Sequence, residues 1–284
     1  MIAGLLHSLR AARDFQPQRF LRLTLGEQGI GWVRRAEAEC LRAWPGAFGF
    51  SEEEISLKPL AEQGLTSVLE EVARSLQRDG AVRGWRGETY AVRVVEGGEP
   101  LFHIERAAMR FFGLRFAAAH LNGHAGEGAD ARILVARRAT SKSIDPGMLD
   151  NLVAGGILSG EQAWQALLRE CDEEAGIPAA LAKAARPAGA LRVCREVPEG
   201  LNDEVLHIHD LELPRDFTPR NTDGEVSEFL SLDAAALLGR VAHGEMTVEA
   251  GLVAVDFALR HRLMRDESGE IGALVGACRD ATSA

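Results

Sequence analysis

Between residues 155 and 177 the chain reads GGILSGEQAWQALLRECDEEAGI, and within it Glu170, Glu173 and Glu174 stand three and four positions apart. On a helix such residues share a face, with β-carbons roughly 5 to 6 Å apart, so three like charges repel by a few tenths of a kcal/mol per pair. That cost is small, and the plain reading is a solvated acidic surface. A second chemistry fits the same side chains. Hard divalent cations take oxygen ligands, and Mg2+ is typically held by a few carboxylates together with the phosphate oxygens of a substrate. Arg169 adjoins the cluster, a glycine-rich stretch precedes it, and Gly176 and Ile177 close it.

Such a cluster needs a rigid carrier. Trp164, Leu167, Leu168, Cys171 and Ala175 fall on one apolar stripe, which predicts a helix from Glu161 that buries this stripe and turns the glutamates elsewhere. Around it, strands are predicted at ARILVARRA (131–139), AGALRVCREV (188–197) and EVLHIHDLEL (204–213), a strand with a glycine turn at MLDNLVAGG (148–156), and helices from Asp233 and over Val248–Arg265. Alternating strands and helices imply an α/β sandwich. The tail from Asp266 fits neither period. The first half reads as a small α+β domain. It comprises a helix over Ile2–Arg13, strands RFLRLTL and GIGWVRR around the turn GEQG, an amphipathic helix over 60–80 ending at Gly80, and a hairpin over 89–106 with EGGEP as its turn. The break GEGAD (126–130) divides the chain into domains 1–125 and 126–284, although RFAAAHLNGHA, just before it, also suits the second sheet.

Thirty-two basic against 42 acidic residues give a net charge of −10, which disfavours an extended nucleic-acid partner and leaves room for a small anionic substrate neutralised by metal. Positive charge is almost all arginine, lysine occurring only at 58, 142 and 183. The four cysteines include no CxxC pair, so neither a zinc site nor a disulfide framework is indicated, and a cytoplasmic location is expected. No apolar run reaches the length of a membrane span, and the start lacks an export signal.

Counted from Gly155, the stretch satisfies G-x5-E-x7-R-E-U-x-E-E-x-G-U, with Glu161, Arg169, Glu170, Cys171 in the apolar slot, Glu173, Glu174, Gly176 and Ile177. It resembles the signature of the Nudix hydrolases at every specified position. The resemblance implies a Nudix α/β/α sandwich with a mixed sheet, and a hydrolysis dependent on a divalent metal, Mg2+ or Mn2+, in which water attacks a diphosphate linked to another group. By the family pattern Glu170, Glu173 and Glu174 ligate metal, one of them also helping to deprotonate or orient water, and Arg169 holds them in place. A glycine carbonyl completes the set; the count falls on Gly155, the first of the pair, where many relatives use the second. Nudix enzymes often add an acid from a distant loop, and in PRNTDGEVSEFLSL, Glu225, ahead of Asp223 and Glu228, is the candidate ligand or base, against the plain reading of an Asp-Gly turn. Lys142 or Arg138 suits the terminal phosphate. Trp32, Trp44, Phe112 and Phe116 are core residues by default and a stacking surface otherwise. His207 and His209 share a strand face but lack a third zinc-type ligand.

The flanks FGLRFAAAHLNGH, ILVARRATSKSIDPGMLDNLVAGGI and FTPRNTDGEVSEFL look like a Nudix subgroup with an uncharacterised N-terminal domain, similar to the Nudix part fused to thiamin pyrophosphokinase in some fungi. That resemblance implies hydrolysis of oxidised, damaged thiamin diphosphate to the monophosphate and phosphate, with an aromatic cleft between the domains holding the ring. The rivals are a nucleotide-sugar or ADP-ribose type pyrophosphatase, a non-catalytic Nudix-fold module, which would lack one of the signature glutamates, and isopentenyl diphosphate isomerase, whose catalytic cysteine the buried-stripe Cys171 does not supply.

Overall fold

Among the described residues three sheets, of seven, four and two strands, organise the chain into a larger and a smaller body. The computed structural model describes residues 1–95 and 97–283. In order, α1 (Ile2–Ala11) precedes β1 (Phe20–Leu25), β2 (Gln28–Arg34), β3 (Phe48–Phe50), β4 (Glu54–Leu57), α2 (Glu62–Arg78), β5 (Thr89–Val92) and β6 (Phe102–Glu105). There follow β7 (Phe116–Ala125), β8 (Arg132–Arg138), β9 (Leu149–Asn151), β10 (Val153–Gly156), α3 (Ala163–Ala175), α4 (Ala179–Ala182), β11 (Arg186–Val197), β12 (Gly200–Glu212), β13 (Val226–Leu232), α5 (Ala234–Ala242), α6 (Val248–Arg260) and α7 (Glu270–Asp280).

The smaller body joins a four-stranded sheet, ordered β2-β1-β4-β3, to the hairpin β5-β6 through α2. Leu65, Leu69, Val72, Ala73 and Leu76 recur at helical spacing along α2 and are buried against Leu23, Ile55, Phe102 and Ile104. The hairpin forms as predicted; Glu96 of its EGGEP turn lies outside the described residues.

The larger body is a seven-stranded mixed sheet, β11-β12-β7-β8-β13, with β10 paired to β7 and β9 to β8. Among the described strands only the β7–β12 pairing is parallel within it. Helices α3 and α4 cover one face over Ala119, Leu121 and Val153, and α1, α5, α6 and α7 cover the other over Leu191, Val193, Leu206 and Ile208. Central β7 is therefore buried on both faces, which is why its sequence does not alternate. The result is an α/β/α sandwich beside a small α+β body, the fold class the sequence implies.

The predicted division between residues 125 and 126 does not follow this packing. The GEGAD break only joins β7 to its antiparallel neighbour β8, and β7 belongs to the large sheet. Leu5, Leu9 and Ala12 of the N-terminal segment are buried in the core built by α5, α6 and α7. Beyond them the Ala12 and Asp14 carbonyls accept hydrogen bonds from the Cys194 and Glu196 amides of edge strand β11, at 2.8 and 2.9 Å. The segment MLDNLVAGG is two short strands; its glycines do not turn, because Gly155 and Gly156 pair with Ala119 and Ala118 of β7. Helix α3 starts at Ala163, two residues after the predicted Glu161, α6 stops at Arg260, and the unassigned tail becomes α7, which buries Ile271, Val275 and Cys278.

Backbone hydrogen bonds fasten the two bodies. The Leu201 amide of β12 donates to the Arg110 carbonyl (2.9 Å) and the Ser159 amide to the Thr89 carbonyl of β5 (2.8 Å).

Candidate active site

Helix α3 is fixed at both ends. At its start the Gln162 amide donates to the Gln165 side chain (2.9 Å), and at its end Gly176 takes the left-handed conformation (φ 60°) that stops the helix. The loop that carries Glu225 completes the cap: the Arg220 and Thr222 amides donate to the Ala175 and Glu173 carbonyls, each at 2.9 Å. Ala166, Leu167, Cys171 and Ala175 are buried, so Cys171 is a core residue, and burial raises its thiol pKa to about 12. Trp164 and Leu168, also assigned to the stripe, are only half-buried.

The glutamates occupy three different environments. Glu173 is exposed. Glu170 lies against β10, where a methyl group on Gly155 would meet its Oε1 at 2.0 Å, so only glycine fits there. Glu174 is buried and accepts a hydrogen bond from the Ala154 amide (2.9 Å). Burial raises the pKa of both Glu170 and Glu174, opposed at Glu170 by Arg169 and reinforced at Glu174 by Glu170.

Arg169 ties the group together. It grips Glu161 with two bonds (2.8 and 3.0 Å) and also donates to Glu170 (2.7 Å), Glu173 (3.3 Å) and the Gly156 carbonyl (3.2 Å). The bonds to Arg169 hold the Glu161 carboxyl below its ordinary pKa. Thus the Gly156 carbonyl is engaged, while Gly155 is the glycine packed on Glu170.

Among the described residues no group of three or more His, Cys, Asp or Glu side chains already converges as a metal site. The arginine occupies that position instead, bridging Glu170 and Glu173. The donors nonetheless suit a hard divalent cation: they are carboxylates, their crowding and burial disfavour ionisation, and a cation relieves both effects. Arg169 keeps Glu161 as its partner if Glu170 and Glu173 leave it.

Opposite α3 lies a cationic rim. Glu225 pairs with Lys142 and with Arg86 of the small body. Burial alone would raise its pKa, but hydrogen bonds from Lys142 and Arg86 overcome this and bring it down to about 2. Asp223 accepts from the Asn221 side chain and the Glu225 amide (2.6 and 2.8 Å), so it shapes the turn, and Glu228 pairs with Arg137 at the surface. Arg138 directs its donors to Asp150 (2.8 Å) and the Ile144 carbonyl (3.0 and 3.2 Å).

Arg86, Arg106, Arg138, Lys142, Gly155 and Gly156 line two adjoining cavities. One, of about 90 Å³, also contains Arg169, Glu170, Glu173, Glu174 and Glu225. The other, of about 280 Å³, opens between the bodies and contains Tyr90, Phe116, Arg110, His120, Glu204 and Glu249. Tyr90 and Phe116 lie ring to ring at 5.8 Å, and the Tyr90 hydroxyl rests on β10, where a methyl group on Gly156 would approach it to 1.6 Å.

Of the four aromatics singled out from sequence, only Phe116 reaches these cavities; Phe112 and Trp44 belong to the core of the small body, and Trp32 packs edge-on against Phe15. His209 packs against Trp164, ring centroids 5.7 Å apart, away from any metal-type cluster. Sequence reasoning missed Arg86, Tyr90 and Arg106. The sole available signal was that Tyr90 is the one tyrosine in the chain.

Residues 4–116 match a domain of unknown function (DUF4743) and residues 114–250 match the NUDIX domain. The change-over falls at the start of β7. Nudix hydrolase 24, chloroplastic, from Arabidopsis thaliana is 34% identical over 254 residues, covering 88% of this chain and 70% of that protein. Nudix hydrolase 20, chloroplastic, from the same plant is 32% identical over 261 residues, with the same coverage. A crystal structure from Deinococcus radiodurans is 26% identical and covers 58% of this chain and 97% of its own, with a TM-score of 0.46. The chain belongs to the Nudix hydrolase family, enzymes that generally use a divalent metal.

Proposed function

We propose that this chain hydrolyses a small-molecule diphosphate at the seam between α3 and the small body, with Mg2+ or Mn2+ held by Glu170, Glu173, Glu174 and the Gly155 carbonyl. The observation that carries the reading is the wall the two cavities share: the α3 glutamates line one, an aromatic pair lines the other, and the shared rim is cationic. A diphosphate laid across that rim puts its phosphates beside α3 and its organic group beside Tyr90 and Phe116. When bound, the cation supplies acidified water and neutralises charge on the departing phosphate.

The chain's own residues divide the remaining work. Arg169, clamped by Glu161, orients Glu170 and Glu173. Arg86, Arg106 and Lys142 attract the phosphates; Arg138, committed to Asp150, positions that acid and the 144 carbonyl. A carboxylate held near pKa 2 is a poor base at neutral pH, so Glu225 serves as ligand and as anchor for Lys142 and Arg86.

The organic group is the oxidised ring system of damaged thiamin diphosphate. Its supports are the flanking sequence resemblance and a ring cavity of about 280 Å³, just below the roughly 300 to 1,000 Å³ typical of ligand pockets. A phosphate-release screen with Mg2+ against thiamin diphosphate, its oxo and oxy analogues and ADP-ribose tests both levels. Fastest turnover of the oxidised thiamin forms is expected. Equal or faster turnover of ADP-ribose overturns the thiamin assignment, and absence of cation-dependent release from every diphosphate overturns the site.

A further inference from the structure

At the inner end of the larger cavity, Glu204 of β12 stands beside Phe116, its register partner on β7. It is 7% exposed, and one oxygen accepts a hydrogen bond from the Asn202 side-chain nitrogen (3.1 Å). The other oxygen has no hydrogen-bond partner among the described residues, and it is not sealed from the cavity its residue lines.

Its polar neighbours make other hydrogen bonds. Asn202 spends its remaining donor on Glu249 (2.9 Å), and Arg110 fixes the orientation of that amide by donating to its oxygen (2.9 Å). Glu249 is committed in turn to Arg195 (3.0 Å). His120, which also lines the cavity, directs its Nδ1 to Asn151 (2.8 Å). The Glu204 carboxyl is thus positioned by Asn202 and presents its open oxygen to the cavity. Burial, then the nearby Glu249, raises its pKa, opposed by His120 and Arg110. Burial also pushes the Tyr90 hydroxyl up to about 12, and both Glu204 and Glu170 act on it, which sets the tyrosine between the inner acid and the acidic helix.

Resting on the diphosphate-hydrolase reading, we propose that Glu204 determines specificity by hydrogen-bonding, through its open carboxyl oxygen, to the polar edge of a heteroaromatic group that stacks beside Tyr90 and Phe116. Aminopyrimidine and adenine rings share this chemistry. An aliphatic diphosphate lacks it.

Metal-free titration calorimetry of the whole chain with thiamin monophosphate, AMP and glycerol phosphate separates the cases, because ring binding without metal does not depend on turnover. The wild type binds one of the ring compounds more tightly than glycerol phosphate, and the preferred ring names the source. Glu204→Ala reduces that preference about tenfold, the value of one hydrogen bond in a closed site. Glu204→Gln, which keeps a hydrogen-bonding terminus in the same place and the Asn202 contact, holds it within about threefold and controls for folding. No ring preference in the wild type, an unchanged preference in the alanine variant, or equal loss in both variants overturns the assignment. A chain that shows the ring preference yet releases no phosphate with Mg2+ loses the hydrolase reading alone.

Discussion

Helix α3 and the wall that faces it solve the same problem, holding charge at a cavity, by opposite means. The helix carries Arg169, Glu170, Glu173 and Glu174 on adjacent turns of one element, capped at both ends and packed on β7 and β10. The wall takes Arg86 from a loop, Tyr90 from β5 and Arg106 from the turn after β6, and these meet only because the small body folds and docks. Chemistry placed by helical periodicity is written locally. Chemistry placed by docking is not. The helix should therefore govern turnover and the wall affinity and substrate choice.

The strongest test of that division is Glu170→Gln. We expect cation-dependent phosphate release to fall at least about 100-fold, the upper end for residues that merely support a metal ligand, with little change in the melting temperature. Retention of more than a tenth of wild-type release would break the division on the helix side. The two glycines of β10 sharpen it further. A methyl at Gly155 collides with Glu170 and a methyl at Gly156 with Tyr90, so Gly155→Ala should act mainly on kcat and Gly156→Ala mainly on KM, each by about tenfold to 100-fold. Identical kinetic patterns would mean that the strand moves as one and the two sides are not separable.

Arg106→Ala addresses the wall directly. Loss of one charge-assisted phosphate contact, worth about 1.5–3 kcal/mol, should raise KM at least about tenfold with a smaller change in kcat. A kcat loss matching that of Glu170→Gln would place Arg106 with the helix instead. The smallest effect concerns the latch between the two sides. Glu225 titrates near 2 in the folded chain against an ordinary 4.5, so the stability it contributes is present above about pH 4.5 and disappears as pH falls toward 2. Urea denaturation should show Glu225→Gln less stable than wild type at pH 7 and the difference narrowing below pH 4.5; a constant difference would show that the ion pairs contribute nothing.

Most of α3 was legible, because spacing alone put acids and apolar residues on separate faces. Its limits were in the tertiary contacts. Glu174 read as part of an open acidic face, yet the Ala154 amide draws it inward. The glycines of β10 read as a turn because their partner strand β7 lies some thirty residues earlier, beyond the reach of local pattern. Glu225 was found through its loop, whereas the salt bridge to Arg86 that lowers its basicity crosses between bodies. Asn202 and Glu204 were least legible of all: polar residues in a strand ordinarily mark its solvent side, and here both are buried, with Glu204 lining the cavity between the bodies.

The segment after α1 has an influence far from the catalytic seam. By accepting hydrogen bonds from the outermost strand of the large sheet, residues 12 and 14 occupy backbone groups that would otherwise be open to another chain. Trimming this leader would strip the rim of its cover as well as removing Leu5 and Leu9 from the core, and the damage would surface as self-association during purification before it surfaced in kinetics.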